Sequence, residues 1–219
     1  MMNADMTRWV EQTRLYVRQA MANAEPGHDW WHAERVCRLA MTLARSEPVD
    51  ALVVQLAALL HDIADHKFHG GDETLGPRRA SQFLVSLGVP DAVVSHVAAI
   101  VANISFKGGH ATQTFRSPEL DVVQDADRLD AMGAIGIART FSFGGFARRE
   151  LYNPDVPPAL NQTPEQYKAN RSHTINHFYE KLLLLKDRMN TPTAQRMAEQ
   201  RHRFMEGFLE EFYREWEGV

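Results

Sequence analysis

One cysteine, Cys37, is the only thiol in these 219 residues. A lone cysteine excludes an intramolecular disulfide framework and the zinc sites built from several thiolates. Cys37 falls inside an apolar helical pattern, where a small buried residue is expected rather than a nucleophile. No run approaches the ~18 apolar residues of a membrane span. Positive charge is not in excess: 24 Lys and Arg against 28 Asp and Glu leave −4 with neutral histidines. The basic footprint of a nucleic-acid binder is therefore missing at whole-chain level. The 10 histidines make that balance soft near neutral pH. The sequence also has no internal repeat, no low-complexity tract, no Walker-type lysine loop and no serine-nucleophile elbow. Met1–Met6 lacks the charged and apolar regions of a signal peptide. These absences lead to the expectation of a cytoplasmic enzyme with a small-molecule partner, touching neither nucleic acid nor membrane.

What is present is ordinary globular material, 44% hydrophobic and 24% charged, which is ample for a core. The length fits one compact domain or a closely fused pair. Helix-period patterning dominates. Val36, Leu39, Ala40 and Leu43 recur at steps of three and four, which predicts a helix over Asp29–Arg45. Asp50–Asp62 is apolar on most faces and is expected at the centre of a bundle. Further helices are predicted at Pro77–Leu87, Asp91–Asn103, Pro118–Met132, Ile135–Phe143, Arg171–Met189 and Thr193–Trp216. In the last, Met197, Arg201, Phe204, Met205, Phe208, Leu209, Phe212 and Trp216 share one side and are expected to be core. Asp65–Gly76 and Gly144–Asn170 read as loops, and no segment shows the period-two alternation of a strand. The expected fold class is all-α.

Three groups of residues carry chemistry. His61-Asp62 ends the most apolar helix, where an ionised aspartate costs several kcal/mol unless a cation pairs with it. His28-Asp29-Trp30-Trp31-His32 precedes Arg35-Val36. His32 shares a face with Val36 and Leu39, a position that also suits a core histidine bonded to backbone. Asp125, Asp127 and Asp130 fall within six positions of an otherwise apolar helix. A solvated edge paired with Arg128 and Arg139 accounts for Asp125 better than for Asp127. Gly133 and Gly136 suit a tight helix crossing.

Taken in order, His, then His-Asp, then Asp on successive helices resembles the HD superfamily of metal-dependent phosphohydrolases. The strings are His28-Asp29-Trp30-Trp31-His32-Ala33-Glu34-Arg35-Val36, Leu59-Leu60-His61-Asp62-Ile63-Ala64-Asp65-His66-Lys67-Phe68, Ile104-Ser105-Phe106-Lys107-Gly108 and Gln124-Asp125-Ala126-Asp127-Arg128-Leu129-Asp130-Ala131-Met132-Gly133. His177-Phe178-Tyr179-Glu180-Lys181 is a C-terminal echo. The pattern is most similar to stand-alone bacterial HD proteins that resemble (deoxy)nucleoside-triphosphate pyrophosphohydrolases.

The resemblance implies a single HD-type helical bundle over residues 1–219, its core at about 28–132, with additional C-terminal helices. It makes His32, His61, Asp62 and Asp127 the ligands of one divalent ion. Two imidazoles and two carboxylates neutralise that ion and leave positions open, which suits Mn²⁺ first, then Mg²⁺, Ni²⁺, Co²⁺ or Fe²⁺. The ion polarises a phosphoryl oxygen and acidifies water. His28 matches a residue near the site. His96 and His110 do not fit the pattern of ligands for a second metal. Asp65 is the candidate to orient His61 or Lys67, and Asp130 to position water. Lys67 and Lys107 are the leading phosphate-binding candidates, with Arg35 and Lys181 behind them. The implied reaction cuts a nucleoside triphosphate to monophosphate and pyrophosphate. A 5′-nucleotidase, a phosphodiesterase or a low-turnover nucleotide sensor are the alternatives, and a homodimer is compatible with the sequence.

Overall fold

A computed structural model describes residues 4–22, 29–64, 72, 74–104, 115–160, 163, 166 and 172–219. Among the described residues every regular element is a helix, as expected for the all-α class, and none is long and apolar enough to cross a membrane. The chain divides into two compact units, and the boundary falls between Ala126 and Asp127, inside one helix.

The first unit contains α1 (Ala4–Ala20), α2 (Trp30–Leu43, followed by a 3₁₀ turn at Ala44–Ser46), α3 (Ala51–Leu60), α4 (Leu75–Ser86) and α5 (Asp91–Asn103), with α6 (Pro118–Asp130) crossing the boundary. Helix α3 is the centre. Leu52, Val53, Val54, Leu56, Ala57, Ala58, Leu59 and Leu60 are all buried, and α1, α2 and α5 pack around it. Asp50 caps its start, accepting from Leu52 N at 2.8 Å and Val53 N at 3.4 Å. The Asp50 backbone N–H donates to Glu119 Oε1 at 2.9 Å, and Gln124 Nε2 donates to the Asn103 carbonyl at 3.2 Å. These bonds tie α6 to the start of α3 and the end of α5.

Helix α1 has no counterpart among the predicted helices. Its signal is short: Trp9, Thr13 and Val17 at steps of four, with Val10, are the buried positions among mostly polar residues. The Trp9 indole N–H donates to the Leu87 carbonyl at 3.1 Å, which fastens α1 to the end of α4. Cys37 is buried as expected. Burial pushes its thiol up to about 11, against the pull of Arg14, so no thiolate forms near neutral pH.

The second unit contains α7 (Gly133–Phe146), α8 (Asn176–Glu180), a 3₁₀ segment (Leu182–Arg188) and α9 (Pro192–Trp216), which packs on α7 and on the 3₁₀ segment. The helix expected over Arg171–Met189 is broken at Lys181, where φ is −144° and ψ −58°. Beyond the break, Leu182 and Leu185 are buried while Leu184 is 45% exposed. That period of three is how a 3₁₀ turn buries an all-leucine run. Helix α7 extends past the expected end, so Gly144 lies within it: a Cβ there would meet Thr174 Oγ1 at 2.4 Å. The stripe on α9 is only partly core, since Phe204 is 56% and Trp216 47% exposed. The adjacent Met205 takes the inward position, and Trp216 packs its ring edge-on to Tyr152 at 5.0 Å. Residues 147–160 are irregular, as expected.

Burial, with the positive charges of Lys181 and Arg149, lowers the His177 pKa from the ordinary 6.5 to about 3. Between those two values the unfolded chain binds a proton at this position and the folded chain does not. The contribution to stability is complete above the unfolded value and is lost as pH falls toward the folded one. Urea unfolding is expected to show stability falling from pH 7 to pH 4, by at most about 1.4 kcal/mol per pH unit for this group. His177→Gln should flatten that slope. Parallel slopes in the two proteins would show that His177 is not the group responsible.

Candidate metal centre

Asp29 starts α2. Its backbone is extended and its carboxylate accepts from His32 N at 3.0 Å, the bond of a helix N-cap. The cap fixes the first turn, so Trp31 faces outward, 58% exposed, and His32 is completely buried. The reading of His32 as an inward-facing residue on the Val36 face is thus met in the fold.

His61 takes the C-cap position of α3, and a turn closed by Ile63 N to the Leu60 carbonyl at 3.1 Å follows it. His61 Nδ1 lies 2.8 Å from the Ala58 carbonyl. A carbonyl only accepts, so Nδ1 carries the proton and Nε2 presents its lone pair. That lone pair faces His32 Nε2 at 3.2 Å. Asp62 Oδ2 stands 3.5 Å from each of these nitrogens. Two ligands held ~2.1 Å from one shared ion, at angles between octahedral and tetrahedral, are themselves roughly 3.0–3.4 Å apart. The 3.2 Å pair falls within that range and the two 3.5 Å spacings lie just above it, close to the spacing of neighbouring ligands around a common cation.

Asp127 follows Ala126 directly on α6, the helix tied to α3 and α5. One ligand atom each from His32, His61 and Asp127 lies within 4.8 Å of the others, and Asp127 is half-buried. Two carboxylates and two neutral imidazoles offset a divalent charge, which is otherwise costly to bury. The donor set fits the ion that the sequence implies.

His28, Asp65, Lys67, Lys107 and His110 lie outside the described residues. Arg35 is half-buried on α2. Lys181 is half-buried at the break after α8, where its charge acts on His177. Asp130 is 2% exposed, and its Oδ2 pairs with Arg139 Nη1 at 3.1 Å. His96 Nε2 lies 2.9 Å from Ser117 Oγ and 3.5 Å from Glu119 Oε2, a local network at the start of α6. Asp125 corrects one expectation: it is wholly buried rather than on a solvated edge. Of the two arginines expected beside it, Arg139 pairs with Asp130 and Arg128 donates to the Arg188 carbonyl.

Comparison with known proteins bears on the same residues. An HD domain matches residues 30–132. YpgQ, an uncharacterized protein of Bacillus subtilis, is 36% identical over 210 residues, spanning 95% of this chain and 94% of its own. The crystal structure of YpgQ in complex with ADP aligns with a TM-score of 0.75 at 34% identity, covering 96% of each chain. A crystal structure of an HD-superfamily hydrolase from Bacillus thuringiensis aligns with a TM-score of 0.76 at 41% identity, over 98% of this chain and 100% of that one. The crystal structure of a Lactobacillus plantarum protein reaches 0.85 at 35% identity over 100% of both chains. Likeness along nearly the whole chain, with the domain match running from the start of α2 to just past the end of α6, settles the family: the chain belongs to the HD superfamily of metal-dependent phosphohydrolases.

Proposed function

We propose that the protein hydrolyses a nucleoside triphosphate, a deoxynucleotide by preference, to the monophosphate and pyrophosphate, with one divalent ion held by His32, His61, Asp62 and Asp127. The observation that carries this reading is the pair of imidazole Nε2 atoms 3.2 Å apart, with the His61 proton committed to Ala58 on the far side of the ring. When bound, the ion supplies Lewis-acid stabilisation of phosphoryl charge and a water acidified toward neutrality, Mn²⁺ being the first choice.

The chain's own residues do the rest. The Ala58 carbonyl keeps His61 in the tautomer that leaves Nε2 unprotonated. The Asp29 cap holds the turn that carries His32. Lys67 and Lys107 bind the phosphates beyond the reacting one, with Arg35 and Lys181 the reserve cations; the resemblance adds His28 to the substrate-binding set and gives Asp65 the task of orienting His61 or Lys67. Lysine suits this task as a point charge on a long stem. In the reaction a water oxygen bonds to the α-phosphorus, the bridging oxygen–phosphorus bond breaks and pyrophosphate leaves with the electron pair. ADP bound to YpgQ supports a nucleotide as the ligand class, since that relative is similar over nearly all of this chain.

The test is product analysis with a panel of ribo- and deoxynucleotides, their monophosphates and a nitrophenyl phosphodiester, in the presence of Mn²⁺. Pyrophosphate and monophosphate in equal amounts are expected from at least one triphosphate. Orthophosphate alone would identify a 5′-nucleotidase, and nitrophenol alone a phosphodiesterase. Nucleotide binding without product would reduce the protein to a sensor.

A further inference from the structure

The last turn of α6, from Asp127 on, belongs to the second unit and is held there by arginine contacts. Arg201, on α9, donates from Nη1 to the Leu129 carbonyl, which also accepts from Met132 N at 3.0 Å. Its methylenes lie over Gly133, where an added Cβ would stand 3.1 Å from Arg201 Cγ and 3.3 Å from Arg201 Cβ. Gly133 has φ 69°, so the backbone conformation and the arginine stem both require glycine there. The buried Asp130 carboxylate pairs with Arg139 at 3.1 Å and also feels the charge of Arg201. Arg128, in the same turn, donates to the Arg188 carbonyl. A half-buried guanidinium on a helix-terminal carbonyl is well placed electrostatically, because unsatisfied carbonyls and negative dipole accumulate at that end.

We propose that Arg201 is a positioning residue for the metal centre: by fixing the Leu129 carbonyl it sets where the Asp127 carboxylate stands. The inference rests on the reading of Asp127 as a metal ligand. The turn is closed by Ala131 N to the Asp127 carbonyl at 3.3 Å, so a shift of Leu129 or Asp130 is transmitted to Asp127 through one helical turn. Metal ligands tolerate only about 0.5 Å of misplacement, and loss of an outer partner typically weakens metal binding roughly 10–100-fold. Arginine offers its donor to the Leu129 carbonyl from a planar, preorganised fork, whereas an ammonium is a single point charge on a flexible stem.

Mn²⁺ affinity of the purified full chain, measured by equilibrium dialysis, tests the proposal in wild type, Arg201→Met, Arg201→Lys and Asp127→Asn. Methionine keeps most of the stem over Gly133 and removes the donors. Arg201→Met, with helical content unchanged by circular dichroism, is expected to bind Mn²⁺ about 10–100-fold more weakly. Arg201→Lys should fall between it and wild type, and Asp127→Asn should be at least as weak as Arg201→Met. Wild-type affinity in folded Arg201→Met, with Asp127→Asn weakened, overturns the inference alone and leaves Arg201 a purely structural residue. Wild-type affinity in Asp127→Asn overturns the ligand reading and the inference with it. Should Arg201→Met fail to fold, Arg201→Lys decides by the same criterion.

Discussion

Replacing His61 by alanine is expected to release the bound ion and abolish turnover while leaving the helices intact. In the proposed site the imidazole is one of two nitrogen ligands, and its Nε2 faces that of His32 at 3.2 Å from the C-cap of α3. kcat/KM should fall by at least about 100-fold, a loss of ~2.7 kcal/mol of transition-state stabilisation. Metal content per chain should fall from one equivalent to background by elemental analysis. The effect of Mn²⁺ on thermal unfolding is an independent readout: the ion should raise the wild-type midpoint by binding the native state, and the variant should not respond. Equal metal content in both proteins would remove His61 from the site. His61→Asn, which retains a polar group near Ala58 but offers no imidazole lone pair, should behave like the alanine variant.

Leu56→Ala is the complementary case, with a large effect on stability and a small one on chemistry. Leu56 is wholly buried in α3, which is apolar on nearly all faces and surrounded by α1, α2 and α5. Truncating such a leucine removes transfer free energy and leaves a cavity, at a cost of about 2–5 kcal/mol. For a chain of this size the melting midpoint should drop by roughly 5–15 °C. The site lies past the end of α3, more than one turn away, so Mn²⁺ should raise the midpoints of wild type and variant by similar amounts. Differential scanning calorimetry with and without Mn²⁺ separates the two contributions. A drop under about 1 °C, well below the shift expected from cavity formation, would show that α3 is not the centre of this core.

Much of the fold is legible in the sequence because the helices that matter bury apolar faces. Asp91–Asn103 has the boundaries its pattern predicts, and α3 is recognisable from eight buried residues in ten positions. Helix α1 escapes because its buried face is only four residues in a polar segment, and its partner Leu87 is 78 positions away. The break at Lys181 escapes because an uninterrupted leucine run satisfies an α-helical and a 3₁₀ pattern equally. In the site, His32, His61 and Asp62 stand out only through the ordered His, His-Asp, Asp pattern that resembles the HD superfamily, since a single buried histidine equally suits a core position. The burial of Asp125 is not, since the same spacing describes a solvated edge. Arg201 is the least legible of all: it acts on Leu129 from 72 positions away, and no local motif encodes that bond. On α9 it reads only as one polar member of an apolar stripe.

The most direct measurement of the central claim is an anomalous-difference map collected at the manganese edge from crystals grown with Mn²⁺. One peak is predicted, within roughly 2.0–2.3 Å of His32 Nε2, His61 Nε2 and one carboxylate oxygen each of Asp62 and Asp127. Density elsewhere, or none among these four side chains at full manganese loading, would contradict the assignment of this site as the metal centre of the enzyme.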